Sequence, residues 1–352
     1  MNYKYSIVTP VFNASSFLNQ AIDSVLEQEV QDWELIIIND ASKDDSFVIA
    51  HSFAQKDDRI KVIDFHENKG QGYARNVALQ KAKGKYILFL DADDFFSKRA
   101  FSTLSDYIDR KPKIKVFLWG YHVCNHKGKI QQTLLPDDPN KAKKETPILL
   151  GMLSRKGFVA FPWVYIIKKK FIQKHDIRFL EGVFFEDVPF NIQVLYHLRK
   201  MKTIPFAGYN YRKHPSSVTG QSSKQKIDDK FTAFTWIKTF LEKKSVFHIY
   251  QNLYLARFLA FCVYTCFNDY LCLPRKNKDK ALDHDMENIR KGSWLTKENL
   301  QLLKTIGLLL KSQKEHKVAR FYLSAYIGLS NIKKRYFLQK FMVWLIMRVK
   351  RF

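Results

Sequence analysis

Tyr86-Ile87-Leu88-Phe89-Leu90 runs straight into Asp91-Ala92-Asp93-Asp94, so an apolar stretch ends in three carboxylates separated by a single alanine. Carboxylates this close repel one another unless a cation lies among them, and an all-oxygen donor set suits a hard ion such as Mg²⁺ or Mn²⁺. Such an ion keeps waters and bridges phosphates, which points to a phosphorylated, nucleotide-type substrate. To deliver these side chains, the short β-forming run after Gly84 has to be a buried strand ending at the ligand-binding edge of an α/β sheet.

Other apolar runs close on unusual residues. Thr9-Pro10-Val11-Phe12-Asn13 ends one and Asn39-Asp40-Ala41-Ser42 another, and both are expected on the rim that carries Asp91. Pro10 and Phe12 would back a planar ring, and Asp40 is placed to accept from a base N–H. The competing reading makes Asp40 or Ser42 the cap of the next helix. Asn68-Lys69-Gly70-Gln71-Gly72-Tyr73-Ala74-Arg75-Asn76 reads as a glycine-containing turn opening a helix, with Lys69 and Arg75 available to phosphate. It lacks G-x-x-x-x-G-K-[ST] and its glycines do not follow the first strand, which argues against a P-loop or a dinucleotide fold.

Strands are expected at Tyr5–Thr9, Trp33–Asn39, Ile60–Phe65 and Tyr86–Leu90, with helices at Phe17–Gln28, Asp45–Gln55 and Gly72–Ala82 between them. This alternation calls for an α/β fold, a Rossmann-like mainly parallel sheet with helices on both faces. Beyond Ile114 the pattern loosens to short strands such as Val116–Trp119, and lysine-rich Pro136–Glu145 reads as a surface loop. A boundary near Ser222 separates a catalytic domain, 1–222, from a basic, aromatic, helical region, 223–352.

The chain has 352 residues and a net charge of +25, which implies an anionic partner: nucleotide, nucleic acid, acidic glycan or anionic membrane. Cys124, Cys262, Cys266 and Cys272 show no C-x-x-C spacing and read as core residues of a protein in a reducing cytosol. The start has no apolar signal region, and Phe258–Leu273 is too short and too interrupted, by Asn268 and Asp269, to span a bilayer.

Taken in order, Thr9-Pro10-Val11-Phe12-Asn13, Asn39-Asp40, Arg75-Asn76-Val77-Ala78-Leu79, Gly84-Lys85-Tyr86-Ile87 and Leu90-Asp91-Ala92-Asp93-Asp94 resemble the family 2 glycosyltransferases of GT-A fold, over residues 4 to 215. The resemblance implies a UDP-sugar donor, a D-x-D element in which Asp91 and Asp93 bind the Mn²⁺ or Mg²⁺ that holds the donor diphosphate, and a uracil contact at Asp40. It also implies a second acidic pair, supplied by Phe184-Phe185-Glu186-Asp187-Val188-Pro189-Phe190, with Asp187 as general base and Glu186 in support; by itself a Glu-Asp pair before proline is a helix start. Trp163 and Tyr165 match the acceptor-side segment, with core packing as the alternative. His214 lies where relatives place a third metal ligand, and Arg212 and Lys213 are further candidates for the diphosphate. A single base opposite the leaving group implies inversion, hence a β-linked product from a UDP-α-sugar.

In the basic region, amphipathic patterns at Tyr250–Cys272, Leu300–Leu310 and Tyr336–Val349 read either as a helical bundle or as helices on anionic lipid. The last is flanked by Lys333, Lys334, Arg335, Lys350 and Arg351, each adding ~1 kcal/mol at such a surface. The expected protein is a cytoplasmic transferase, peripheral on the inner face of the membrane, extending a glycan or glycolipid acceptor such as lipopolysaccharide, lipooligosaccharide or capsule, with no nucleic-acid partner. Two rivals stay open. A sugar-1-phosphate nucleotidyltransferase would want a glycine-rich basic loop after the first strand, and a non-enzymatic nucleic-acid-binding protein would need a recognisable module and would have to tolerate the acidic cluster.

Overall fold

The computed structural model describes residues 3–136, 149, 161–214 and 224–258. β1 (Tyr5–Val11), β2 (Trp33–Asn39), β3 (Ile60–Asp64) and β4 (Tyr86–Phe89) alternate with α1 (Ser15–Leu26), α2 (Ser46–Ala54) and α3 (Gln71–Lys81). The strands lie in the order β3-β2-β1-β4 and pair in parallel. β1, β2 and β4 are buried along their whole length, which is why they read as continuous apolar runs rather than alternating ones.

Pro10 sits inside β1 without breaking it. Val8 turns its carbonyl to Leu90, so the backbone of Pro10, two residues on, faces the same side, and β4 pairs with β1 only from Tyr5 to Val8. The missing N–H is thus on a side where no partner asks for it.

The second half of the sheet is built from β5 (Phe95–Phe96), β6 (Val116–Cys124), β7 (Ile130–Leu134), β8 (Tyr165–Lys168) and β9 (Lys202–Arg212), with α4 (Ala100–Arg110), α5 (Lys169–Lys174) and α6 (Asp187–His197). β8 enters antiparallel between β4 and β6, and β9 runs parallel to β6. Two antiparallel steps restore the direction of β4, so β9 delivers Arg212 and His214 to the rim where β4 delivers Asp91. β5 pairs antiparallel with β9, and β7 with β6.

Buried Glu34 stitches the opposite end of the sheet. Its Oε1 accepts from the Ser6 hydroxyl at 2.5 Å and from the backbone N–H groups of Lys83 and Gly84 at 2.5 and 3.1 Å. One carboxylate therefore ties β1, β2 and the turn into β4.

By its internal contacts the described chain separates into two units, 3–214 with 232–237 and 224–231 with 238–258. α7 (Lys224–Lys243) and α8 (Phe247–Phe258) agree with the expected helical character beyond Lys224. The lysine-rich loop, the patterns at Leu300–Leu310 and Tyr336–Val349, and three of the four cysteines lie outside the described residues; Cys124 is a buried free thiol. Among the described residues no helix is long and apolar enough to cross a membrane.

Candidate active site

The three carboxylates after β4 do not share one environment. Asp94 turns inward and is buried: its carboxylate accepts from the Tyr209 hydroxyl at 2.8 Å and the Arg212 N–H at 2.7 Å. Burial and the neighbouring Asp93 push its pKa well above the ordinary carboxylate range. Asp91 and Asp93 stay at the rim, with side chains 24% and 29% exposed. Ala92 between them is buried.

Part of the cation that this cluster demands is supplied by the protein. Arg75, only 2% exposed, donates from Nη2 to Asp91 at 2.7 Å and from Nη1 to Glu186. Burial alone would lower its pKa; the two carboxylates more than offset this and raise it. The expected phosphate contact of Arg75 is therefore corrected, because its terminal nitrogens are engaged by carboxylates and by Gln71.

That bridge brings together two acidic motifs ninety-odd residues apart. α3 carries Arg75 and can approach the 180–187 segment because residue 72 is glycine: a Cβ there would stand 2.2 Å from the Leu180 carbonyl oxygen and 3.3 Å from the Glu186 Cβ. Asn76 adds hydrogen bonds to both the carbonyl and the N–H of Phe179, each 2.9 Å. Phe185 holds a left-handed backbone, φ 66°, an uncommon conformation for a bulky residue, immediately before Glu186 and Asp187.

Asp187 opens α6, as the proline two residues later suggested. Its Oδ1 is buried with no hydrogen-bond partner. Burial first, and then the adjacent Glu186, push its pKa up to about 8, with Arg75 pulling the other way. A buried carboxyl poised near neutrality is what a general base requires. Glu186 is likewise raised by burial against the pull of Arg75, to which it is paired.

His214 reaches the same rim from β9, its Nε2 2.8 Å from Asp93 Oδ2 and its ring tilted against Phe17 with centroids 4.6 Å apart. Burial and Asp91 raise the pKa of Asp93, and His214 lowers it. By donor type, the carboxylates of Asp91 and Asp93 and the imidazole of His214 suit a divalent ion such as Mn²⁺ or Mg²⁺. Among the described residues no group of three or more His, Cys, Asp or Glu side chains is placed to hold a metal ion by itself. Substrate oxygens would have to complete the shell.

Beside this centre, the loops after β1 and β2 are stitched together. Asn13, at φ 51°, accepts from the Lys43 N–H at 2.7 Å and donates its own N–H to Ser42 at 3.1 Å. Asp44 accepts from the N–H groups of Ser15 and Ser46; against burial, hydrogen bonds from these serines hold its carboxyl at about 2. Phe12 is 49% exposed, as a platform for a planar ring would be, whereas Pro10 is buried within β1. Thr9 is buried with its hydroxyl oxygen unpartnered.

Asp40 is not a helix cap. Its two oxygens accept the N–H groups of Lys69 and Gly70 at 2.7 and 2.8 Å, which clamps the turn into α3. The Lys69 ammonium pairs with Glu67 at 2.6 Å, so in this structure it is not directed at a phosphate.

Three other expectations are corrected. Trp163 is sandwiched between Tyr209, 4.3 Å away and 2° from parallel, and Phe161, 4.8 Å and 7°, so both its faces are taken. Tyr165 is fully buried in β8. Neither aromatic presents a face to an acceptor sugar. Arg212 is buried and committed to the carbonyls of Asp93 and His126 and to Gln20, which leaves it as a brace rather than a diphosphate ligand.

Tyr209 is a site residue that the sequence pattern does not single out. Its hydroxyl accepts the Asp91 N–H at 3.1 Å while donating to Asp94, so it fixes the backbone of the acidic turn. Burial and the carboxylates keep it protonated. Its only signal in the sequence is its place in the Tyr209-Asn210-Tyr211 run before His214.

Residues 6–176 match the model of glycosyl transferase family 2. They form a family 2 glycosyltransferase domain. The chain is 30% identical over 225 residues to the uncharacterized glycosyltransferase EpsJ of Bacillus subtilis, covering 64% of this chain and 65% of EpsJ. It is 26% identical over 287 residues to a cholesterol galactosyltransferase of Borreliella burgdorferi, covering 80% and 79%. In fold it is similar to the crystal structure of S. aureus TarS 1-349 in complex with UDP-GlcNAc, at a TM-score of 0.59, 20% identity and 81% coverage of each chain. The family match supports the glycosyltransferase reading over the nucleotidyltransferase one.

Proposed function

We propose that the protein is a metal-dependent, inverting transferase that moves a sugar from a UDP-sugar to a bacterial surface glycan or glycolipid. The observation that carries the proposal is the single guanidinium of Arg75 shared by Asp91 and Glu186, which gathers the D-x-D carboxylates and the Glu186-Asp187 pair at one rim. The UDP-GlcNAc in the TarS structure supports the donor class, and the cholesterol acceptor of the Borreliella relative supports an acceptor at a membrane.

In this reading Asp91, Asp93 and His214 would hold Mn²⁺ or Mg²⁺, together with substrate oxygens, and the ion would offset the charge of the departing diphosphate. Phe12 backs the uracil and Asp40 fixes the turn that borders it. Asp187 takes the proton of the acceptor hydroxyl, the acceptor oxygen bonds to the anomeric carbon, and the bond to the phosphate oxygen breaks with its electron pair leaving on UDP. Attack opposite the leaving group inverts the anomeric centre.

The test is UDP release by the full chain with Mn²⁺ across a panel of UDP-sugars, followed by NMR of the product. One donor should turn over far faster than the rest and give a β linkage. Release from no donor, or a retained anomer, overturns the reading.

The net charge of +25 motivates a second element of the proposal, attachment of the 223–352 region to an anionic membrane surface. Removing residues 333–352 should release the chain from vesicles containing anionic lipid while leaving UDP binding intact. Unchanged co-sedimentation at moderate salt would count against it.

A further inference from the structure

We infer that Arg75 is a positioning residue, an internal counter-ion that holds the metal-side carboxylate of Asp91 and the base-side Glu186-Asp187 pair in one register, without itself gripping the donor. The inference rests on the proposed transfer reaction and adds a residue to it.

Three observations carry it. Arg75 is buried, whereas a phosphate-binding arginine has to reach the solvent-accessible cleft. Its two terminal nitrogens are already engaged, Nη2 by Asp91 at 2.7 Å and by Gln71 at 3.2 Å, and Nη1 by Glu186. The surroundings hold it in place: Gln71 lies one turn earlier on α3, the Phe179 ring lies 5.3 Å from the guanidinium carbon, and the glycine at 72 admits the 180–187 segment.

A planar fork can satisfy two carboxylates in different directions at once, which a lysine ammonium on a flexible stem does poorly. With the fork intact, the distance between the metal-side and base-side groups is set by one rigid group. Transfer needs both at once, since the acceptor oxygen must meet the anomeric carbon while the diphosphate is held. A misplacement of about 1 Å costs on the order of a hundredfold in rate.

The test separates positioning from donor binding and from folding. In Arg75→Lys, kcat should fall about a hundredfold, while KM for the donor and the Kd of UDP with Mn²⁺ change less than threefold. Glu186→Gln, which keeps the shape and one acceptor oxygen, should show the same split with a smaller loss, and it serves as the measurement if Arg75→Lys does not fold. A tenfold or greater weakening of UDP binding with kcat retained at saturating donor would overturn the inference and return Arg75 to the phosphate. Full kcat in both variants would overturn it as well. Failure of the transfer reading itself would appear elsewhere, as an absence of sugar-nucleotide turnover by the unaltered chain.

Discussion

Asp187→Asn should lose about a thousandfold in kcat while UDP still binds. General-base contributions run from about 10² to 10⁴, and the expected loss sits at the middle of that range. The amide preserves the shape of the side chain at the start of α6, so a loss of rate reports the missing proton acceptor rather than a collapsed site. An active variant would remove Asp187 from the role of base.

The same residue sets a pH dependence whose sign can be worked out. Burial and Glu186 raise Asp187 to about 8, so below that pH the carboxyl is protonated and cannot accept. The kcat/KM of the unaltered enzyme, which reports the free protein, should therefore rise with pH through about 8. In stability the sign is opposite: a carboxyl with a folded pKa above its unfolded value favours the fold at low pH, and this contribution is lost as pH rises through about 8. The variant, which cannot ionise, should lose less thermal stability than the unaltered protein between pH 6 and pH 9. A flat rate profile together with identical melting behaviour would contradict the assignment.

Asp93→Ala and Asp91→Ala should each reduce transfer by about a hundredfold to a thousandfold, because each removes a contact that stabilises charge developing on the diphosphate. Their side effects should differ. Asp91 is an Arg75 partner, so its loss leaves a buried guanidinium with one carboxylate fewer and should also lower the melting temperature. Asp93 pairs with His214 at the partly exposed rim, and its removal should leave stability nearly unchanged. Turnover in Asp93→Ala at the normal rate would rule out the D-x-D reading.

Much of this was legible because it is local. β2 reads directly from Trp33 to Asn39, since a strand buried on both faces leaves an uninterrupted apolar run. Helix ends shift by a residue or two, as for α1 at Ser15–Leu26 against an expected Phe17–Gln28, because terminal turns are weakly specified by the apolar pattern. The insertion of antiparallel β8 between β4 and β6 could not be read, as pairing between distant segments leaves no mark in either.

Within the site, residue types were readable and directions were not. Asp91, Asp93 and Asp94 look alike in a row, yet the turn after β4 sends Asp94 into the arms of Tyr209 and Arg212. Arg75 reads as a phosphate ligand until α3 is seen to face Glu186, 111 positions later in the chain. Trp163 looks the same in the sequence whether it stacks on a sugar or on Tyr209, and only the fold decides, as it does in burying Tyr165 within β8.

The most direct measurement is a calorimetric titration of UDP into the full chain, with Mn²⁺ and again with a chelator, repeated for Asp93→Ala. UDP should bind tightly only with the metal, and Asp93→Ala should lose at least tenfold of that affinity. Equal affinity with and without Mn²⁺, or an Asp93→Ala variant that binds as the unaltered chain does, would contradict a metal–diphosphate centre at the mouth of β4.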